Sequence, residues 1–177
     1  GGMMSVNGEV GSGPLRIGIP IADMATGMMA HSAVLLALVE RAKSGRGQLV
    51  EVSLLDTAVS LLHPHAASWF MAGERPKRTG NAHPLVTPYD VFQTATGPLF
   101  VGVGNDRQFG LLCAALNCPE VASDARFTSN EFRAQNRAAL REILAAILLA
   151  KERDKIASEL LKQGVPAEKA KEINKLI

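Results

Sequence analysis

The chain has 177 residues, of which 47% are hydrophobic, so it can build a sizeable core and is expected to be globular. Its 19 Lys and Arg residues against 17 Asp and Glu residues give a formal net charge of +2, spread along the chain. With so small a net charge, electrostatics alone do not indicate a nucleic-acid or membrane-surface partner, and small-molecule partners are favoured.

The cysteines and the N-terminal segment indicate the cellular compartment in which the protein is expected. The spacing of Cys113 and Cys118 fits neither a zinc site nor a redox pair, which predicts reduced thiols and no metal centre. The opening residues lack a positive leader region, and the longest apolar runs are well short of the ~20 residues of a membrane span. We therefore expect a cytoplasmic protein without a membrane segment, although an organelle address upstream of Gly1 would be invisible.

The first predicted elements are a loop and a long helix. Residues 7–20 are rich in Gly and Pro, which predicts an irregular surface loop. From Asp23 to Lys43 the apolar residues recur at helical spacing, and Gly45 and Gly47 follow a basic last turn. A helix is expected from about Asp23 to Lys43.

The next segment predicts a strand, a second helix and a linker. Gln48 to Leu54 alternates apolar and polar residues, and Asp56 follows as a candidate N-cap for a helix ending near Ala72. Residues 73–88 contain three prolines, two glycines and a cluster of positive charge. This composition predicts a linker, with a domain boundary near residue 76.

The second half predicts a hairpin followed by helices. Two β-like segments, 89–93 and 98–104, flank the turn at residues 94–97, and Asn105 or Asp106 then caps a helix. Further helical patterns cover residues 130–149 and 152–163. The expected fold class is α/β, in which residues 1–76 form helices with a short strand and residues 77–177 form a linker and a small α+β domain.

Asp23 is the main candidate for chemistry. It lies between the glycine-rich loop and the first turn of the predicted helix, where unpaired backbone N–H groups stabilise an ionised carboxylate. An ionised carboxylate is a competent nucleophile. The ordinary alternative is an Asp that only caps the helix.

Several blocks of sequence resemble, in order, the class III coenzyme A transferase family, which includes formyl-CoA transferase, carnitine-CoA transferases and α-methylacyl-CoA racemase. The resemblance covers residues 1 to about 166. Its blocks are residues 2–8 (GMMSVNG), 18–27 (GIPIADMATG), 41–48 (RAKSGRGQ), 52–56 (VSLLD), 80–84 (GNAHP), 88–89 (PY), 103–109 (VGNDRQF), 126–130 (RFTSN) with Arg133, and 164–166 (GVP).

The resemblance implies an acyl-CoA:carboxylate CoA-transferase that acts on small (di)carboxylic acids. In that family the Asp at the position of Asp23 forms an aspartyl-acyl anhydride and then an aspartyl-CoA thioester. It implies no bound cofactor, with the coenzyme A thioester as a substrate, and an interlocked homodimer in the full-length form. The racemase branch would instead use this Asp for acid/base work, together with a histidine that these residues do not supply.

Four further residues are candidates for substrate or coenzyme binding. The resemblance places His83 in a loop near the active site, where an imidazole is suited to an acceptor carboxylate; the alternative is a histidine that caps a turn. It also places Asn105, Asp106 and Gln108 in a segment that faces the cleft between domains. The alternative for this segment is that Asp106, ahead of an apolar run, is an ordinary helix cap.

The chain also departs from the family pattern. Family members are far longer, and the half that supplies most coenzyme A contacts has no counterpart here. After Pro166 the residues predict a charged helical tail in place of the family turn. We therefore expect a central fragment that exposes a helix face in residues 1–75 and is inactive alone; the alternative is a non-catalytic remnant that serves assembly or binding.

Overall fold

A computed structural model describes residues 1–169. The chain forms two compact units, Gly1–Gly80 and the part from Asn81 onward, and each is described here by itself. The division falls within the predicted linker of residues 73–88.

Unit 1 is helical. Residues 7–20 lie outside regular secondary structure, as predicted, and the long predicted helix is confirmed with an end at Gly45, whose φ of 70° closes it. A short helix near the N-terminus was not anticipated. The helices are α1 (Met3–Val6), α2 (Ile21–Ser44), α3 (Leu54–Ser60) and α4 (His65–Ala72).

Three predictions in unit 1 are wrong in detail. Residues 48–53 form no strand, because a strand needs a neighbouring strand for its hydrogen bonds and no described residue provides one. Ser53, not Asp56, caps α3, since its Oγ accepts a bond from the Asp56 N–H at 3.3 Å. The second helix is divided ahead of Pro64, which has no N–H to continue the ladder.

Helix α2 buries none of its residues in unit 1. Among the described residues it is also the one helix long and apolar enough to cross a membrane by length and composition, which corrects the expectation that no segment reaches that length. A core helix of a larger soluble protein meets the same criterion. The predicted exposed apolar face is confirmed; the large apolar side chains of α2 that are more than half exposed are Met24, Met28, Met29, Leu36 and Val39.

Unit 2 contains an antiparallel sheet in the order β1-β2-β3. The predicted hairpin is confirmed: Thr94 pairs with Gly97 across a two-residue turn, and Gly97 has a φ of 130°. A third strand pairs Leu99 with Lys169, so the first residues of the predicted helical tail are extended instead; the rest of that tail lies outside the described residues. The strands are β1 (Tyr89–Thr94), β2 (Gly97–Gly102) and β3 (Ala167–Lys169).

Within residues 81–169, five helices accompany this sheet. The helix predicted over residues 130–149 is broken at Asn136, whose side-chain amide donates to the carbonyls of Phe132 (2.9 Å) and Arg126 (3.3 Å). The helix predicted over 152–163 is confirmed, and one short helix was not predicted. The helices are α5 (Asp106–Ala115), α6 (Pro119–Ser123), α7 (Asn130–Gln135), α8 (Arg137–Leu149) and α9 (Arg153–Lys162).

The hydrophobic core lies in unit 2. Both cysteines are buried there as free thiols. Burial, reinforced by the neighbouring Cys118, raises the pKa of the Cys113 thiol to about 12, so this thiol stays protonated at neutral pH. The largest core side chains are Phe92, Leu99, Leu112, Phe127, Leu140, Leu144, Leu148 and Leu160.

Arg133 is the one charged side chain fully enclosed in this core among residues 1–169. Its Nε donates to the Thr87 carbonyl at 2.8 Å, and its Nη1 donates to the Phe127 carbonyl at 3.0 Å. Its Nη2 pairs with Asp106 Oδ1 at 2.7 Å, and the guanidinium lies 4.5 Å from the centre of the Phe109 ring. One side chain therefore joins the linker end, α5 and α7.

We predict that Arg133→Ala lowers the free energy of unfolding of unit 2 by about 3 kcal/mol, because it leaves buried carbonyls unpaired and opens a cavity. Urea denaturation monitored by circular dichroism measures this change. Arg126→Ala is the matched control, since its ion pair with Asp124 is exposed and its loss should change stability little. Equal stability of the two variants would contradict the assigned role of Arg133.

Limited trypsin digestion is expected to leave a stable fragment that begins just after Lys77 or Arg78 and contains unit 2. Unit 1 should be degraded further, because its long helix α2 has no buried residue to resist local opening. Mass spectrometry of the digest identifies the fragments. A fragment of residues 1–76 that outlasts unit 2, or a first cut within residues 106–149, would contradict this prediction.

Candidate active site

Asp23 lies in the first turn of α2, as predicted. The helix N-cap is Pro20, so Asp23 does not occupy the capping position, and no side-chain bond caps this end. Among the described residues no hydrogen bond or ion pair engages the Asp23 side chain, which is exposed. The ordinary capping alternative is therefore wrong for this residue.

An open pocket of about 190 Å³ lies beside Asp23. The irregular loop reaches it because the Asn7 side chain donates to the Leu15 carbonyl at 3.0 Å and so folds the loop back. Arg16 is the only cation among the lining residues, and most of the other walls are apolar. The remaining lining residues are Met3, Met4, Ile17, Ile19, Pro20, Ile21 and Ala22.

This arrangement presents a carboxylate to solvent at the positive end of a 24-residue helix. The helix dipole favours negative charge in its first turn, and the apolar walls suit an acyl chain next to the carboxylate. Because no partner within residues 1–169 engages the oxygens of Asp23, this carboxylate is accessible to a molecule in the pocket.

Asn105, Asp106 and Gln108 come together at the start of α5. Asn105 caps the helix, since its Oδ1 accepts the Gln108 N–H at 2.9 Å. Gln108 accepts the Gly104 N–H at 2.8 Å and donates to the Gly164 carbonyl at 3.1 Å. Asp106 pairs with Arg133 while its side chain stays 61% exposed. Asn105 is the cap and Asp106 is the first helical residue, so the capping alternative is wrong for Asp106. A binding role for all three residues stays a prediction.

His83 caps a turn. Its Nδ1 accepts the backbone N–H groups of Leu85 and Val86, both at 3.1 Å, and its ring packs edge-on against Tyr89 at 5.2 Å. A nitrogen that accepts two N–H bonds carries no proton, so the neutral ring has its proton on Nε2. The turn-capping alternative is confirmed, and contact with an acceptor carboxylate remains a prediction.

Three side chains that the sequence reasoning did not assign to the site hold the His83 loop. Asn130 accepts the Thr87 N–H at 3.1 Å and donates to the Leu85 carbonyl at 3.0 Å, and Arg133 binds the Thr87 carbonyl. Arg137 donates to the carbonyls of His83 (2.8 Å) and Pro84 (3.2 Å). The available signal was their spacing of three and four residues, which in the continuous helix predicted over residues 130–149 would put the three side chains on one face. In the structure Arg137 begins α8, after the break at Asn136.

The predicted site residues thus fall into two groups. Asp23 belongs to unit 1, and the other four belong to unit 2, where each already bonds to the backbone or to a neighbouring side chain. Within residues 1–169 no group of three or more His, Cys, Asp or Glu side chains is placed to hold a metal ion.

The chain matches one protein-family model and several CoA-transferases in sequence. The model of CoA-transferase family III matches residues 1–177. The chain is 37% identical to succinyl-CoA:glutarate CoA-transferase of Mus musculus, covering 82% of this chain and 33% of that protein. It is 35% identical to succinate--glutarate CoA-transferase of Agrobacterium fabrum, covering 94% of this chain and 42% of that protein.

A solved structure agrees with these relatives. A CAIB/BAIF family protein from Brucella suis is 38% identical, with a TM-score of 0.75, over 99% of this chain and 47% of that chain. The chain thus spans between a third and a half of the length of the relatives it matches. Because the family model matches every residue, the chain belongs to CoA-transferase family III.

Proposed function

We propose that the protein of which this chain forms part is an acyl-CoA:carboxylate CoA-transferase with Asp23 as its nucleophile. The observation that carries the proposal is the exposed, unpaired carboxylate in the first turn of α2, beside a pocket with largely apolar walls. Family membership supplies the reaction class. The acyl-CoA thioester is a substrate in this scheme, and no resident cofactor takes part.

The reaction proceeds by carboxyl exchange at Asp23. An Asp23 oxygen attacks the thioester carbonyl, the C–S bond breaks, and coenzyme A leaves as its thiolate, which gives a mixed anhydride. The thiolate then attacks the aspartyl carbonyl and releases the donor acid as its carboxylate, leaving an aspartyl-CoA thioester. Each intermediate is a carboxyl derivative of comparable energy, so one difficult exchange becomes a series of easier steps.

The acceptor acid repeats these steps in reverse order. Its carboxylate attacks the aspartyl-CoA carbonyl and expels the thiolate, which forms a second anhydride. The thiolate then attacks the acceptor carbonyl, the new acyl-CoA forms, and Asp23 is released as a carboxylate. No proton is consumed over the cycle, so the described chemistry requires no general base at Asp23.

Small dicarboxylic acids are the proposed acyl groups. Relatives of this chain carry names that include glutarate, succinate and mesaconate as substrates. Arg16 lines the same pocket as Asp23 and supplies a positive charge for the second carboxylate of such an acid. Further contacts to the acceptor are assigned, as part of this proposal, to His83, Asn105, Asp106 and Gln108.

A homodimer in the cytoplasm is proposed for the working enzyme. The support is the apolar face of α2, where Met28 and Leu36 are each 71% exposed and, among the described residues, no side chain of the helix is buried. Monomeric proteins rarely expose a contiguous apolar surface of this kind. In the proposed enzyme, further polypeptide of the family fold or a second chain packs against this face.

The central test is Asp23→Asn in a version extended to full length with the flanking segments of the Agrobacterium fabrum relative. Transfer from succinyl-CoA to glutarate should fall by roughly a thousandfold or more, because the amide keeps the shape but is not a nucleophile. Glu40→Gln on the same helix is the matched control and should keep activity. Full activity of Asp23→Asn would contradict the proposed role.

The 177-residue chain assayed alone is expected to show no measurable transfer. Positioning of a thioester against a carboxylate is worth ~7–11 kcal/mol and draws on contacts remote from the reacting atoms. The open pocket at Asp23 encloses too little of a coenzyme A thioester to supply those contacts. Turnover by this chain alone would contradict that reasoning.

A further inference from the structure

A second pocket in unit 1, with a volume of about 470 Å³, is lined by three cations. It lies between the N-terminal loop, which contributes Ser5, Val10 and Gly11, and the segment Arg75–Arg78. Its volume is within the range of small-molecule sites. The carboxylate of Asp23 is not among its lining residues.

Two hydrogen bonds to backbone carbonyls hold the two walls of this pocket together. The Gly80 N–H donates to the Gly8 carbonyl at 3.0 Å, and Arg78 Nη1 donates to the Ser5 carbonyl at 3.3 Å. Gly8 has a φ of 126°, and a Cβ there would lie 2.7 Å from the Ser12 Oγ and 3.1 Å from the Arg78 Cδ. The loop therefore approaches Arg78 closely because this position has no side chain.

No acidic side chain lines the pocket to balance its three positive charges. Among residues 1–169, Arg75, Lys77 and Arg78 form no ion pair. The Nε of Arg78 is buried and has no hydrogen-bond partner within residues 1–169, and a buried donor without an acceptor is unfavourable. The nearest acidic residues along the chain are Glu74 and Glu9, and the Glu9 carboxylate lies against Gly80 instead of lining the pocket.

We propose that this pocket binds an oxyanion of the phosphate class, held by Arg75, Lys77 and Arg78. Guanidinium groups match the geometry of phosphate oxygens, and a lysine ammonium adds a point charge. A bound phosphate oxygen would also supply the acceptor that Arg78 Nε lacks. Inorganic diphosphate and the phosphate groups of coenzyme A share this chemistry. The site does not depend on the transfer reaction, because it is inferred from charges and contacts apart from Asp23.

The test is isothermal titration calorimetry of the 177-residue chain at low salt with inorganic pyrophosphate, coenzyme A and pantetheine, which carries no phosphate. The double variant Arg75→Ala/Lys77→Ala should weaken pyrophosphate binding at least about tenfold. Arg78 is left unchanged because it holds Ser5. Lys43→Ala/Arg46→Ala removes the same charge elsewhere in unit 1 and should leave the affinity unchanged. Circular dichroism checks that both variants keep their helices.

The outcomes separate the possible sources of the anion. Binding of coenzyme A that the double variant weakens, with no binding of pantetheine, supports the coenzyme phosphates as the ligand. Binding of pyrophosphate but not of coenzyme A supports a free phosphate. Absence of pyrophosphate binding, or equal weakening in both double variants, overturns the site. Asp23→Asn should keep pyrophosphate binding, so a failure of the proposed function is distinguishable from a failure of this inference.

Discussion

The buried guanidinium of Arg133 is the interaction on which the organisation of unit 2 depends. A cation enclosed in an apolar core is stable only when its donors are satisfied, and here two backbone carbonyls and the Asp106 carboxylate accept from it. These contacts bring together the end of the linker, the start of α5 and helix α7. Asn130 on α7 and Arg137 at the start of α8 bond to the same loop, so the His83 loop has a defined conformation.

Unit 1 is governed by a different constraint, which is that its principal helix, α2, contacts α3 but has no buried residue among those described. Helix α2 carries Asp23 at one end and an exposed apolar face along its length. The chemistry proposed for Asp23 needs an accessible carboxylate, whereas efficient transfer also needs a bound and oriented thioester. In the proposed enzyme, this chain therefore provides the nucleophile, and polypeptide that packs around it provides much of the binding energy for the thioester.

Local patterns predicted much of the fold because the deciding interactions are close in sequence. Helix α2 follows from apolar spacing and its terminal glycine, and the β1-β2 hairpin follows from two strand-like segments around a short turn. Residues 48–53 could not be assigned in this way, since a strand pattern produces a strand only when a partner is beside it. The break at Asn136 depends on side-chain bonds to two carbonyls, one of them ten residues away, which periodicity does not reveal.

For the candidate site, sequence reasoning located Asp23 at the start of a helix but did not identify the groups around it. The pocket depends on how residues 7–20 fold back, and the His83 loop depends on side chains more than forty residues away. Such contacts are set by tertiary structure. Asn105 was predictable as a cap because its partner, Gln108, is only three residues away.

Trapping the covalent intermediate tests the role of Asp23 as nucleophile most directly. The full-length protein is incubated with succinyl-CoA and treated with hydroxylamine, and its peptides are then sequenced by mass spectrometry. We expect a hydroxamate on Asp23, formed by cleavage of the aspartyl-CoA thioester, and none on Glu40 of the same helix. A hydroxamate on another carboxylate, or turnover without any trapped hydroxamate, would contradict it.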